Sequence, residues 1–171
     1  MSDITLKIDG GYFIYRVGAI IVNDGKVLMA KNESFPFYYS IGGRVDYNET
    51  SENAVLREVY EETSVKFEID RLAFIHENFF VAEWLHYSPC HEIAFYYLMK
   101  ENENVNNVVC KSIVLENIVP GGIKESIHWL PINDLDNYEF YPEFFKTELS
   151  CLSNGIVHYV TKNNKSKKMS V

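Results

Sequence analysis

The sequence predicts an α/β (α+β) fold, a mixed sheet covered by helices, and three observations carry that expectation. Stretches rich in β-branched and aromatic residues, such as "YFIYRVGAIIV" from Tyr12 to Val22 and the run from His91 to Met99, read as strands. From Ser51 to Thr63 the pattern switches to helical spacing. A second, shorter helical stretch from Pro142 to Leu152 has proline near its start. Strands alternating with two separated helices point to a sheet with helices laid on it.

In chain order, Tyr12–Val22 is broken by Asn23-Asp24-Gly25 and resumes as "KVLMA", which reads as a β-hairpin. Asn32 to Tyr39 is a loop with Pro36 and several aromatics, leading into Gly42-Gly43. The helix at Ser51–Thr63 has Thr50 or Ser51 as its N-cap. Lys66 to Val81 and His91 to Met99 follow as long strands around a loop with Trp84, Tyr87 and Pro89. From Glu101 to Lys124 the pattern is weak: "SIVLENIV" suggests a strand and Pro120-Gly121-Gly122 a break. "SIHWLPI" reads as a strand ending at Pro131, and "GIVHYV" as a last strand. We expect one domain over residues 1–160 and a polar, disordered tail over residues 161–171.

The 171 residues carry 47% hydrophobic and 15% aromatic content, enough for one buried core. Net charge is −8, with no long basic block before the tail, so binding to nucleic acid or to an anionic membrane is not expected. An anionic ligand would then need positive charge from elsewhere, and a divalent cation is the obvious source. Cys90, Cys110 and Cys151 have no CxxC spacing and read as reduced, mostly buried thiols. The five histidines show no ligand spacing. With no signal-peptide pattern and no apolar run of spanning length, a cytoplasmic location is the default.

Function is written most densely in "GGRVDYNETSENAVLREVYEETSV", Gly42 to Val65. At about 100° per residue, Glu58, Glu61 and Glu62 share an arc of roughly 100° on the helix, with Arg57 beside it. Val55, Leu56, Val59, Tyr60 and Thr63 form the face expected to pack on the sheet. Like charges this close cost an isolated helix a few tenths of a kcal/mol per pair, so the arc asks for counter-charge. Arg57 supplies part of it. A hard cation with oxygen ligands would supply the rest, and Mg²⁺ suits a few carboxylates shared with waters and phosphates. Gly42-Gly43 would let backbone approach a metal or a phosphate. Glu49 adds a carboxylate ahead of the cap.

Gly43, five residues, Glu49, seven residues, then Arg57-Glu58-Val59-Tyr60-Glu61-Glu62-Thr63-Ser64-Val65 resembles the signature box of the Nudix hydrolases. The flanking "VGAIIVNDGKVLMAK" and "WLPINDL" resemble that family's surroundings, over residues 12 to 152. Two positions depart from the pattern: Ser64 replaces the family's glycine, and Ile41 stands where many members have proline. If position 64 is left-handed, serine there costs about 1 kcal/mol.

The resemblance implies an α/β/α sandwich with the carboxylate helix on one face of a mixed sheet and the C-terminal helix on the other. It also implies hydrolysis, with Mg²⁺ or Mn²⁺, of a diphosphate linkage in a nucleoside diphosphate joined to another group. The substrate class would be a modified nucleoside triphosphate, ADP-ribose or a nucleotide sugar, or a dinucleoside polyphosphate. A non-catalytic nucleotide sensor on the same fold is the alternative, and the resemblance leaves room for a homodimer. Carried over residue by residue, Glu58, Glu61, Glu62 and the Gly42 carbonyl hold metal, and Glu58 and Glu61 serve catalysis with Arg57 positioning them. Arg44, Arg16 and Lys31 are candidates for phosphate contacts. For the base or sugar, Phe80 is the candidate among Phe35, Phe37, Tyr38, Phe79, Trp84 and Tyr141. Glu92, Glu116 and Glu125 read more readily as surface or strand-end acids than as contributors.

Overall fold

The computed structural model describes residues 3–108, 113–114, 124–162 and 165–169. Cys110, Glu116 and the expected break at Pro120-Gly121-Gly122 lie outside the described residues.

The chain opens with β1 (Thr5–Ile8) antiparallel to β2 (Gly11–Ile20). The two-residue β3 (Val22–Asn23) then pairs with β4 (Lys26–Asn32) through Asp24-Gly25, both at positive φ (47° and 70°). That is the turn chemistry a tight hairpin requires. β5 (Tyr38–Ser40) precedes α1 (Ser51–Thr63), followed by the long strands β6 (Ile69–Ala82) and β7 (Ser88–Met99). After β8 (Ile113–Val114) and β9 (Lys124–Pro131) come β10 (Phe140–Tyr141), the four-residue α2 (Phe145–Glu148), β11 (Val157–Lys162) and β12 (Lys165–Met169).

These strands form two sheets, ordered β1-β2-β7-β6-β11-β12 and β10-β5-β4-β9-β8. The expected hairpin is therefore smaller than its sequence suggested. Val22 and Asn23 pair with β4, while β2 runs parallel to β7 from Tyr12↔Cys90 to Ile20↔Leu98. Burial explains the difference: Val17 to Ile21 are all buried, on both faces of the strand, which suits a central position better than a hairpin arm.

Alternate residues of β2 and β4 feed two cores. Val17, Ala19, Leu28 and Ala30 pack with Ala54, Val55 and Val59 of α1. Ile20, Val27 and Met29 pack with Phe144, Phe145 and Leu149 around α2. The two helices thus lie on opposite faces, as the resemblance implied, although α2 is shorter than the stretch from Pro142 to Leu152. The buried stripe of α1 is Ala54, Val55, Val59, Glu62 and Thr63, rotated from the expected face so that Tyr60 is 49% exposed and Glu62 is inside.

The tail also differs from expectation. Thr161 and Lys162 complete β11, and Lys165–Met169 pairs with it as β12. Its anchor is Lys168, whose Nζ donates to Glu148 Oε1 at 3.1 Å, while the Tyr159 hydroxyl donates to the same oxygen at 2.5 Å. Cys90 is buried as expected, but Cys151 is exposed. Among the described residues, no helix is long and apolar enough to cross a membrane.

Two features of this scaffold give tests. Thr50 caps α1, accepting from the Asn53 amide, and Ser64 ends it in the left-handed region (φ 60°, ψ 13°), donating its N–H to the Tyr60 carbonyl at 2.8 Å. Ser64→Gly should therefore raise the melting temperature by about 2–4 °C, corresponding to about 1 kcal/mol; a lower value would remove the strain argument.

His76 is buried against Phe144 with Nε2 2.7 Å from the Thr161 hydroxyl, and burial, then His158, pushes its pKa down to about 4. The unfolded chain protonates near pH 6.5, so this contribution is complete above that value, falls with pH, and is lost by about pH 4, about 3 kcal/mol in all. Urea midpoints measured across this window should fall less in His76→Phe than in the wild type. Equal slopes would mean that His76 charges freely in the folded state.

Candidate functional site

The site is built where α1 meets the segment running from Ile41 to Val45. That segment lies along β2: Ala19 and Val17 donate their N–H groups to the carbonyls of Ile41 (2.8 Å) and Gly43 (2.9 Å), and Val45 donates to Tyr15 (3.1 Å). Contact is close enough that a Cβ at either glycine would meet an atom under 3 Å away. A Cβ on Gly42, whose φ is 139°, would stand 2.3 Å from the Val17 carbonyl oxygen. A Cβ on Gly43 would stand 2.4 Å from Glu58 Oε1. The two glycines thus press bare backbone against the strand on one side and against a carboxylate on the other.

Arg57 organises the carboxylates. Its Nε and Nη2 form a bidentate pair with Glu49 at 3.0 and 2.9 Å, and Nη1 reaches Glu58 at 2.7 Å and, more loosely, Glu61 at 3.5 Å. Nη2 also donates to the Arg44 carbonyl at 3.2 Å, which ties α1 to the glycine segment. Glu49 and Glu58 hold the Arg57 guanidinium firmly protonated, with its pKa raised. Glu49 itself is pinned between Arg57 and the Asp46 amide, and its pKa is lowered, first by Arg57.

Glu62 is placed differently. It is buried, one oxygen accepts the Gly42 N–H at 2.9 Å, and the other, Oε2, is buried with no hydrogen-bond partner. Burial, then the charge of Glu125, pushes its pKa well above the usual carboxylate range. Burial also raises Glu58 despite Arg57.

Glu125, read from sequence as a surface or strand-end acid, is at the start of β9 and is buried; the Tyr39 hydroxyl donates to it in a short hydrogen bond, and Asn32 donates to Tyr39 at 3.1 Å. Asn32 and Glu125 are register partners across β4 and β9, a pairing separated by 93 residues in sequence. Glu92 is likewise buried, with burial raising its pKa against the opposing pull of Arg16, Asn78 and Arg44. Burial is outweighed at Arg16, whose guanidinium is held charged by Glu92, Tyr96, Glu62 and Glu58.

Among the described residues, no three His, Cys, Asp or Glu side chains stand in metal-holding geometry; Glu58 and Glu61 are paired with Arg57. The donor set nevertheless fits a hard cation. Glu62 presents a buried, unpaired oxygen, Glu58 lies beside it across Gly43, and Glu61, with its side chain 56% exposed, is loosely held. A divalent ion would supply the charge that these desolvated carboxylates lack.

The remaining candidates divide. Arg16 and Arg44 face each other across an isolated antiparallel bridge beside the glycines. Arg44 pairs with Asp3 at 2.8 Å and lies 4.8 Å from the Trp84 ring. Lys31 lies over the Tyr38 ring at 4.8 Å. Its neighbour Asn32 serves Tyr39 and Glu125 from the opposite face of β4, so Lys31 and the carboxylates are on different faces of that sheet. Phe80 packs with Ile14, Ala82 and Cys90, while Phe79 faces the other way and stacks on His91 at 4.2 Å. Phe35, Phe37 and Tyr141 form an aromatic group of their own.

Glycine replacement separates the two glycine roles. Gly42→Ala should lower the melting temperature by about 5 °C or more, since both φ and the Val17 carbonyl oppose it. Gly43→Ala should shift it far less, because only the end of the flexible Glu58 side chain must move; equal shifts would show that the carboxylate contact is as rigid as backbone.

A family model described as NUDIX domain matches residues 13–147. The chain is similar to a MutT-like protein of Streptomyces ambofaciens, 33% identical over 61 residues, which is 36% of this chain and 40% of that protein. The match thus spans less than half the length of that relative. Among solved structures, a MutT NUDIX hydrolase from Burkholderia pseudomallei is 26% identical with a TM-score of 0.51, over 72% of this chain and 86% of that one. A MutT protein from Bacillus halodurans superposes over 92% and 95% of the two chains with a TM-score of 0.60 at 17% identity. An ADP-ribose pyrophosphatase from Streptococcus suis does so over 86% and 98%, with a TM-score of 0.52 at 15% identity.

Proposed function

Because the chain belongs to the NUDIX domain family, we propose that it is a metal-dependent hydrolase that cleaves a diphosphate linkage in a nucleoside diphosphate joined to another group. One observation carries this reading: the buried, unpaired Glu62 oxygen beside Glu58, against the bare Gly42-Gly43 backbone, on a helix tied to that backbone by Arg57. The names of similar structures span a MutT-type hydrolase and an ADP-ribose pyrophosphatase, so the substrate stays at the level of its shared diphosphate.

In this reading Glu58, Glu61 and Glu62 hold Mg²⁺ or Mn²⁺, with the Gly42 carbonyl as a further oxygen. A cation held there would supply positive charge to the phosphate oxygens and would make the attacking water more acidic. Arg57 keeps the carboxylates in register, and Arg44 and Arg16 bring positive charge to the phosphates from the glycine side. A carboxylate of the cluster accepts the proton of the attacking water; one phosphorus–oxygen bond forms and the bridging one breaks. Within the chain, Glu125 is fixed by Tyr39 close enough to Glu62 to raise its pKa, which makes Glu125 part of the same electrostatic unit. The intact set of carboxylates and Arg57 favours turnover over the binding-only alternative.

The test is phosphate or nucleotide release from a panel of modified nucleoside triphosphates, ADP-ribose, nucleotide sugars and dinucleoside polyphosphates. Activity on at least one compound should appear with Mg²⁺, vanish with chelator, and fall about 100-fold or more in Glu61→Gln/Glu62→Gln. Equal turnover by wild type and variant would remove these residues from the reaction.

A further inference from the structure

We propose that Trp84 is a positioning residue for phosphate binding: it holds the guanidinium of Arg44, the residue that follows Gly43, and acts on the ligand through that arginine. This rests on the reading above in which Arg44 contacts substrate phosphate.

Trp84 sits in the short 3₁₀ turn Glu83–Leu85 that links β6 to β7. The residue is 47% exposed, and the neighbouring Leu85 does the anchoring, packed with Ile14, Ala82 and Cys90. The loop that presents it is tightly specified. His86 donates to the Glu83 carbonyl at 3.1 Å, Ser88 donates to the Leu85 carbonyl at 2.6 Å, and His86 and Tyr87 are both left-handed, with φ of 55° and 56°. Two consecutive non-glycine residues hold that conformation only where their surroundings over-determine it. A half-exposed tryptophan is thus displayed on a fixed loop, and the group it displays itself to is Arg44, 4.8 Å away.

Arg44 is held on three sides. Its carbonyl accepts from Arg57, its backbone bridges to Arg16, and its Nη1 pairs with Asp3. The Arg44 Cζ lies over the Trp84 ring while its Nη1 is turned to Asp3, so Trp84 and a phosphate that replaces Asp3 can hold Arg44 together. Asp3 and Arg44 are 39% and 33% exposed, and an exposed pair of this kind is weak enough for an incoming phosphate oxygen to replace the carboxylate. Asp3 then marks the edge at which the anion binds. The chemistry recognised is the charged diphosphate common to nucleoside diphosphate derivatives, independent of the group attached.

A double-mutant cycle tests this, with ADP as the probe in the presence of Mg²⁺, and binding read by calorimetry. Arg44→Ala should weaken ADP binding. Trp84→Ala should weaken it about three- to fivefold, the worth of an exposed cation–π contact. Trp84→Phe should restore most of the affinity, because a benzene face serves the same purpose. The double variant should bind no more weakly than Arg44→Ala alone. Thermal melts of all variants should lie close to the wild type, since Leu85 anchors the loop. Additive losses would mean that Trp84 contacts the ligand itself, and unchanged affinity in Trp84→Ala, or no ADP binding by the wild type, would equally overturn the proposal. If Arg44→Ala leaves ADP affinity unchanged, the phosphate role of Arg44 falls and the proposal with it. Chelator-sensitive turnover of the panel by wild-type protein stands or falls separately.

Discussion

Three of the glutamates where α1 meets the glycine segment, Glu49, Glu58 and Glu61, are held by one guanidinium that sits among them. Arg57 bonds Glu49 with both of its fork nitrogens, reaches Glu58 and Glu61 with a third, and donates to the Arg44 carbonyl. Charge-assisted bonds of this kind are roughly twice as strong as neutral ones. They offset the repulsion built into the helix and fasten that helix to the segment it must face. Without Arg57, α1 would still pack through Val55 and Val59, but nothing would fix the height and direction of its carboxylates.

Arg57 compensates for three of the carboxylates and leaves the fourth. Glu62 faces inward because the buried stripe of α1 includes its position, and there it finds one N–H, that of Gly42. Its second oxygen has none, and Glu125 adds negative charge beside it. Such an arrangement is costly for the protein alone, and it becomes favourable when a cation is present. Strain of this sort is what a chain selected for stability alone would lose, which is why the geometry argues for a ligand.

The legibility of the fold followed locality. The limits of α1 are readable because they depend on neighbours in sequence, and so is the choice of its cap to within Thr50 or Ser51; the structure takes Thr50 and makes Ser64 left-handed. The turn at Asp24-Gly25 is readable for the same reason. The pairing of β2 is not legible locally, because the residues that flank a hairpin turn look alike whether the strand folds back or continues into another sheet; the choice is made by β7, distant in sequence. The lysine-bearing tail read as disordered, since Tyr159, Glu148 and Lys168 come together only after α2 and β11 are in place.

By itself the sequence determined the carboxylate helix, the glycines before it and the crowding of like charge that calls for positive charge nearby. Each depends on spacing within about two dozen residues, where helical periodicity converts order directly into geometry. Only the tertiary structure decided that Glu62 is buried and half-satisfied, that Glu125 and Glu92 are buried, that Lys31 lies on the other face of its sheet, and that Trp84 meets Arg44. Those facts depend on strand order and register between distant segments. A carboxylate's charge state, and an arginine's reach, are set by what the rest of the chain folds against them.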